Sequence, residues 1–150
     1  MDSEILFIEK AIRSAKEVKI INKEKLQDTI ALQIQYKKEI FLVMIKKAFG
    51  NHYVINVNNP VNFSELGEID ESTNAFELSN KFNTYAVATK CIAIGNTAFK
   101  FMFSREEIIS QEDTRNKNFI LKRVMLSLSI VIDAPSVFLS VAGDNEAEKN

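Results

Sequence analysis

One cysteine, one histidine and two groups of carboxylates are the residues of this chain whose types could do chemistry. Cys91 stands in CIAIGNTAFKFMF, residues 91–103, where Gly95-Asn96 reads as a two-residue hairpin turn. That turn pairs Ile94 with Thr97, Ile92 with Phe99, Lys90 with Phe101 and Ala88 with Phe103. Cys91 then faces Lys100, whose charge would lower a thiol pKa and favour the thiolate. A thiol nucleophile also needs a base, and the only histidine, His52, lies beside a different turn, Gly50-Asn51. Cys91 is therefore read as small apolar filler, and His52 as an exposed turn residue.

The carboxylates fall into two sets. Glu65, Glu68, Asp70 and Glu71 come first, then Glu106, Glu107, Glu112 and Asp113. The first set lacks the ligand register of a calcium loop, so solvated and helix-capping roles are expected, and no metal. The four glycines are scattered, which leaves no phosphate-cradling loop and no dinucleotide fingerprint. No Ser/His/Asp arrangement can be nominated either. The expectation is a protein that is not an enzyme and has no cofactor. The alternative is a small-ligand or enzymatic domain that uses Cys91 or His52 in a pocket between sheet and helices.

Bulk properties narrow the partners. Nineteen basic residues against 20 acidic ones provide no electrostatic footprint for a phosphate backbone, so nucleic acid is not expected. One cysteine cannot form an internal disulfide. The opening MDSEILFIEKAIRSAKE puts acidic residues where a signal peptide needs positive charge, and the expected location is cytoplasmic. Residues 124–142 are apolar in bulk but interrupted by Ser127, Ser129, Asp133, Pro135, Ser136 and Ser140. A buried segment is expected there rather than a membrane span.

The elements that must position these residues follow from periodicity. Ile5, Ile8, Ile12 and Ala15 recur at helical spacing, and the charged residues 17–28 end that pattern. Ile30, Leu32, Ile34 and Tyr36 then alternate as a strand, IFLVMIKK is apolar on both parities, and HYVINVN alternates again. Residues 58–72 read as a loop, and Asn74 with Glu77 caps a short helix through Phe82. The hairpin around Gly95 follows. Ser104 with Glu107 reads as a second cap opening a charged helical turn or short helix. Residues 119–142 fit one helix, a broken helix or a strand: Phe119, Ile120, Val124, Leu128 and Val131 recur as in a helix, while Leu126, Leu128, Ile130 and Ile132 alternate as in a strand. Length favours a helix ending before Pro135, with resumption at Val137 left open. The expected fold class is α+β, an antiparallel five-stranded sheet with helices in the order α-β-β-β-α-β-β-α. A single domain is expected over 1–143, with 144–150 a flexible polar tail.

Such a sheet should leave one face polar, and here both are apolar. If the Lys37–Glu39 turn uses an even-numbered loop, Phe41, Val43 and Ile45 share a face with Leu32 and Ile34, leaving Ile40, Leu42 and Met44 on the other. An odd-numbered loop swaps the two sets. The hairpin adds Val87, Cys91, Ala93 and Met102 to its own weaker face. Either the last helical segment covers this second face, or a partner or second copy does.

The order of elements is similar to that of the small dimeric chaperones of type III secretion and the YbjN-type sensory transduction regulators. The stretch NKFNTYAVATKCIAIGNTAFKFMFSREEI resembles the YbjN pattern of a helix ending in phenylalanine, a strand, a turn and a second apolar strand. This resemblance implies a homodimer that binds other polypeptides through apolar grooves without catalysis, and it assigns no residue a role. The expected function is a chaperone-like or regulatory module that docks a protein or peptide client. The expected partner-binding residues are Ile40, Leu42, Met44, Val87, Cys91 and Met102.

Overall fold

Asp2 opens the first helix, α1 (Ser3–Arg13), by accepting a hydrogen bond from the Glu4 amide at 2.8 Å. Ile5, Ile8 and Ile12 follow on one face, and all three are fully buried. Six strands come next: β1 (Val18–Leu26), β2 (Thr29–Tyr36), β3 (Glu39–Lys47), β4 (His52–Asn62), β5 (Lys90–Ala93) and β6 (Lys100–Ser110). Helix α2 (Ala75–Tyr85) lies between β4 and β5 in sequence, and α3 (Lys117–Lys149) comes last. The fold is α+β with an antiparallel sheet of strand order β1-β2-β3-β4-β6-β5.

A computed structural model describes residues 1–63, 74–95 and 99–149, with side chains through 143. Glu65, Glu68, Asp70 and Glu71, the expected turn residue Asn96, and Thr97, the expected partner of Ile94, lie outside the described residues.

Four expectations about the elements are corrected. The sheet has six strands, not five: the charged stretch after α1 is β1, an edge strand paired with β2 alone and almost wholly exposed. With no buried face, it carries no apolar alternation to read. Strand β4 continues through Pro60 to Asn62, into the stretch whose composition suggests a loop. Ser104 and Glu107 do not open a helix. They belong to β6, where the alternation begun by Phe101 and Phe103 runs on to Ile109. Helix α3 does not stop at Pro135 but continues through it. A mid-helix proline removes one backbone hydrogen bond, at about 3 kcal/mol relative to alanine. Burial on both sides offsets that loss: Val131, Ala134, Phe138 and Val141 are all buried.

The turn between β2 and β3 decides the faces of the sheet. Tyr36 pairs with Glu39, so the loop is Lys37-Lys38, and both lysines have positive φ (48° and 67°). This is the type I′ geometry that matches strand twist. The even-numbered loop places Ile34 opposite Phe41, Leu32 opposite Val43 and Ile30 opposite Ile45, and all six are fully buried.

Contacts within the chain fall into two units. Unit 1 comprises Met1–Asn58 and Glu106–Ser129; unit 2 comprises Asn59–Arg105 and Ile130–Asn150. In unit 1 the core holds the α1 isoleucines, the inner residues of β2 and β3, and Ile120, Val124 and Leu128 of α3. Glu107 of β6 is buried with them, accepting a hydrogen bond from Ser127 Oγ at 3.2 Å and pairing with Arg123 at 3.7 Å. In unit 2 the core is aromatic: Phe63, Phe82, Phe101, Phe103 and Phe138 are at most 1% exposed and form one cluster of rings. Along α3 a buried row of Ile120, Val124, Ser127, Val131, Ala134, Phe138 and Val141 alternates spacings of four and three, with Leu128 buried beside it. Residues Lys117–Gly143 are long and apolar enough to cross a membrane by length and composition alone, and 39% of the most apolar stretch is buried within the protein.

Candidate functional site

Strand β3 separates its apolar residues cleanly between two environments. Phe41, Val43 and Ile45 are fully buried, while Ile40 is 39% and Leu42 37% exposed and Met44 is half-buried. The exposed set is apolar with an amide border. Gln35 pairs with Ile40, Gln33 with Leu42 and Ala31 with Met44, while Asn58 and Asn56 of β4 flank Leu42 and Met44 on the other side. Asn58 is buried: its Nδ2 donates to the Leu42 carbonyl at 3.2 Å and to Asn56 Oδ1. Ile108 of β6, one residue from the buried Glu107, is 58% exposed.

The other three expected partner-binding residues belong to unit 2, and the hairpin register there differs from the expected one. Cys91 pairs with Phe103, Ile92 with Met102 and Ala93 with Phe101, and the Ile94 amide donates to the Lys100 carbonyl at 2.8 Å. The connection is thus Gly95–Phe99 rather than two residues, which shifts the pairing by three. An odd shift exchanges the faces. Cys91 joins the buried phenylalanine side at 2% exposure, and Ile92 and Ile94, expected in the core, are 47% and 44% exposed. Cys91 does not face Lys100, and burial pushes its thiol up to about 12. Met102 is half-buried opposite Ile92, and Val87 is fully exposed in the link from α2 to β5.

Sequence reasoning missed Asn83, in the last turns of α2. Its Nδ2 donates to the Cys91 carbonyl at 2.9 Å, and its Oδ1 accepts from the Cys91 amide at 2.6 Å. Because Ile94 bonds inward to Lys100, the backbone groups of Cys91 and Ala93 point outward from β5, the edge strand. Asn83 covers the Cys91 pair.

Unit 1 also holds a polar cleft of about 570 Å³ lined by Glu4, Asn51, His52, Ser110, Gln111, Glu112 and Arg115. Three segments converge on it: the start of α1, the β3–β4 turn and the connection from β6 to α3. Glu4 is buried there, accepting from Thr114 Oγ1 and pairing with Arg115 at 3.2 Å. The Thr114 hydrogen bond is the largest influence on Glu4, and with Arg115 it holds the carboxyl below its ordinary range despite burial. The guanidinium also lies 4.5 Å over the Phe7 ring. Beside them the Tyr53 hydroxyl donates to Asp2 at 2.9 Å, and burial followed by the Asp2 carboxylate pushes Tyr53 up to about 12. His52 rests against Phe49, with ring centres 5.7 Å apart, and its buried Nδ1 has no hydrogen-bond partner among the described residues.

The cleft binds polar groups together without pairing a nucleophile with a base. Ser110 Oγ donates to Asp113 at 3.0 Å rather than to histidine. No cluster of three or more His, Cys, Asp or Glu suited to a metal occurs among the described residues. Residues 110 positions apart make the Glu4–Thr114 contact, so no local pattern announced it. Comparison of the chain with protein-family models, with curated proteins and with solved structures finds no match.

Proposed function

We propose that this protein is a non-catalytic binding module, chaperone-like or regulatory, that docks a client polypeptide on the open sheet face of unit 1. The observation that carries this reading is the exposure of Ile40 and Leu42 on a strand whose alternate residues are completely buried. Exposed apolar groups set side by side on a rigid sheet are a common form of protein-binding surface. The border of Gln33 and Gln35 supplies donors and acceptors suited to a peptide backbone rather than to hydrocarbon. A cytoplasmic homodimer of the type III chaperone or YbjN kind fits the same reading.

Paired substitutions Ile40→Asp and Leu42→Asp test it. The side chains point away from the core, so the melting temperature should stay within a few degrees while capture of the client, and any dimer, is lost. Undiminished capture and an unchanged solution mass would sink the proposal. The cleft beside His52 supports a second reading, a small polar ligand held by Arg115 and His52; the raised pKa of Cys91 counts against a thiol-based version of it. A ligand-induced rise in melting temperature that His52→Ala abolishes would favour this second reading.

A further inference from the structure

The two edges of the sheet are protected in different ways. Strand β1 carries Lys19, Lys23 and Lys25 and a register shift between Ile20 and Asn22, permanent obstacles to an added strand. Strand β5 has one lysine, Lys90, and no irregularity in its pairing. Among the described residues its cover comes from the end of α2, which packs on β5 and puts the Asn83 carboxamide on the Cys91 backbone. A carboxamide reproduces the donor and acceptor of a peptide group, and Asn83 uses both on Cys91 as a neighbouring strand would. The outward amide and carbonyl of Ala93, two residues on, are not engaged by it. Asn83 lies two residues from the end of α2, where a helix frays most readily, and Ile92 and Ile94 expose apolar side chains along the strand.

We propose that the outer edge of β5 is a strand-addition site for an extended polypeptide segment with apolar residues at alternate positions, gated by Asn83. The incoming backbone pairs with Ala93 first and then replaces the Asn83 carboxamide at Cys91, while its apolar side chains lie against Ile92 and Ile94. A second copy of this chain is the poorer occupant. Strand β5 spans only Lys90–Ala93, and two such strands meeting edge to edge bury far less than the roughly 1,600 Å² of a standard interface. A flexible segment conforms to the edge and can extend along it.

The test uses an end-blocked peptide of alternating valine and threonine, about eight residues long, and the same peptide N-methylated on the residues that would face β5. Amide NMR follows Cys91 and Ala93 in the full chain. The unmethylated peptide should shift and protect both amides, and the methylated one should not. Asn83→Ala removes the competitor and should tighten binding about tenfold, the equivalent of one to two net hydrogen bonds. If that variant fails to fold, the methylated and unmethylated pair on the unaltered protein still decides. Equal binding of the two peptides, silence of both amides at millimolar peptide, or a dimer that itself protects the Ala93 amide would overturn the proposal.

Discussion

Replacing Phe138 tests whether one ring of α3 holds unit 2 together. The ring is 1% exposed and stacks on Phe63 at 5.3 Å, with Phe101 at 4.6 Å, Phe103 at 5.6 Å and Phe82 at 5.9 Å. Truncating a buried phenylalanine to alanine costs about 3–5 kcal/mol, and more where the surroundings cannot collapse. Here the four neighbouring rings sit on β6, on α2 and just after β4, so relaxation of one is opposed by the others. Aromatic pairs contribute roughly 0.5–1.5 kcal/mol each beyond burial, less than additively in a cluster. Phe138→Ala should therefore fall near the upper end, about 4–5 kcal/mol. Phe138→Leu keeps most of the apolar volume and should lose about 1–2 kcal/mol. At roughly 2–4 °C per kcal/mol for a chain of this size, alanine lowers Tm by about 8–20 °C and leucine by about 2–8 °C. The chain has no tryptophan, so urea and thermal unfolding are followed by far-ultraviolet circular dichroism. An alanine variant within about 1 kcal/mol of the parent protein would refute the idea of a rigid aromatic cluster.

Three further outcomes are expected. Thr114 first, then Arg115, hold Glu4 below its ordinary pKa, so the unfolded chain takes up a proton before the folded one as pH falls; the stabilisation is present at neutral pH and lost in acid. Glu4→Gln should cost about 1–2 kcal/mol at pH 7, with the difference from the parent shrinking as pH falls below the ordinary glutamate range, and a pH-independent difference would contradict this account. Pro135→Ala restores a donor to the Val131 carbonyl and should stabilise by about 1–2 kcal/mol; a lower Tm would mean that the packing of Phe138 depends on the proline. Cys91 should react with a disulfide reagent at pH 7 only after denaturant is added, and rapid labelling of the folded protein would revive a role for the thiol.

Segments with one buried face were legible. The isoleucine spacing of α1 and the alternation of β2 appear where periodicity puts them, and Asn74 caps α2 through the Phe76 and Glu77 amides. Features fixed by a partner rather than by local pattern were not. Nothing in Lys37-Lys38 demands two positive φ angles; the twist of the paired strands imposes them. Nothing in β1 alternates, because an exposed edge has no inside. The β5–β6 loop length escaped sequence reasoning because Gly95-Asn96 resembles a complete turn, and the resulting three-residue error moved Cys91 to the wrong side. The Glu4 contacts and the Asn83 clamp join segments with no shared sequence signal.

Unit 1 is not continuous in sequence, and this has a consequence for the chain as it leaves the ribosome. Strands β1–β4 begin with Val18, yet β6 from Glu106 onward and the first part of α3 emerge only afterwards, and Ser129 lies about 70 residues beyond Asn58. At roughly 5–20 residues per second, the nascent sheet waits about 4–14 s for those elements. Throughout that interval β4 lacks the β6 neighbour it has in the finished sheet, and the core of unit 1 lacks Ile120, Val124 and Leu128 of α3. Folding of unit 1 is therefore completed late in synthesis, and the exposed intermediate is the species most open to aggregation or to capture by the cell's folding machinery.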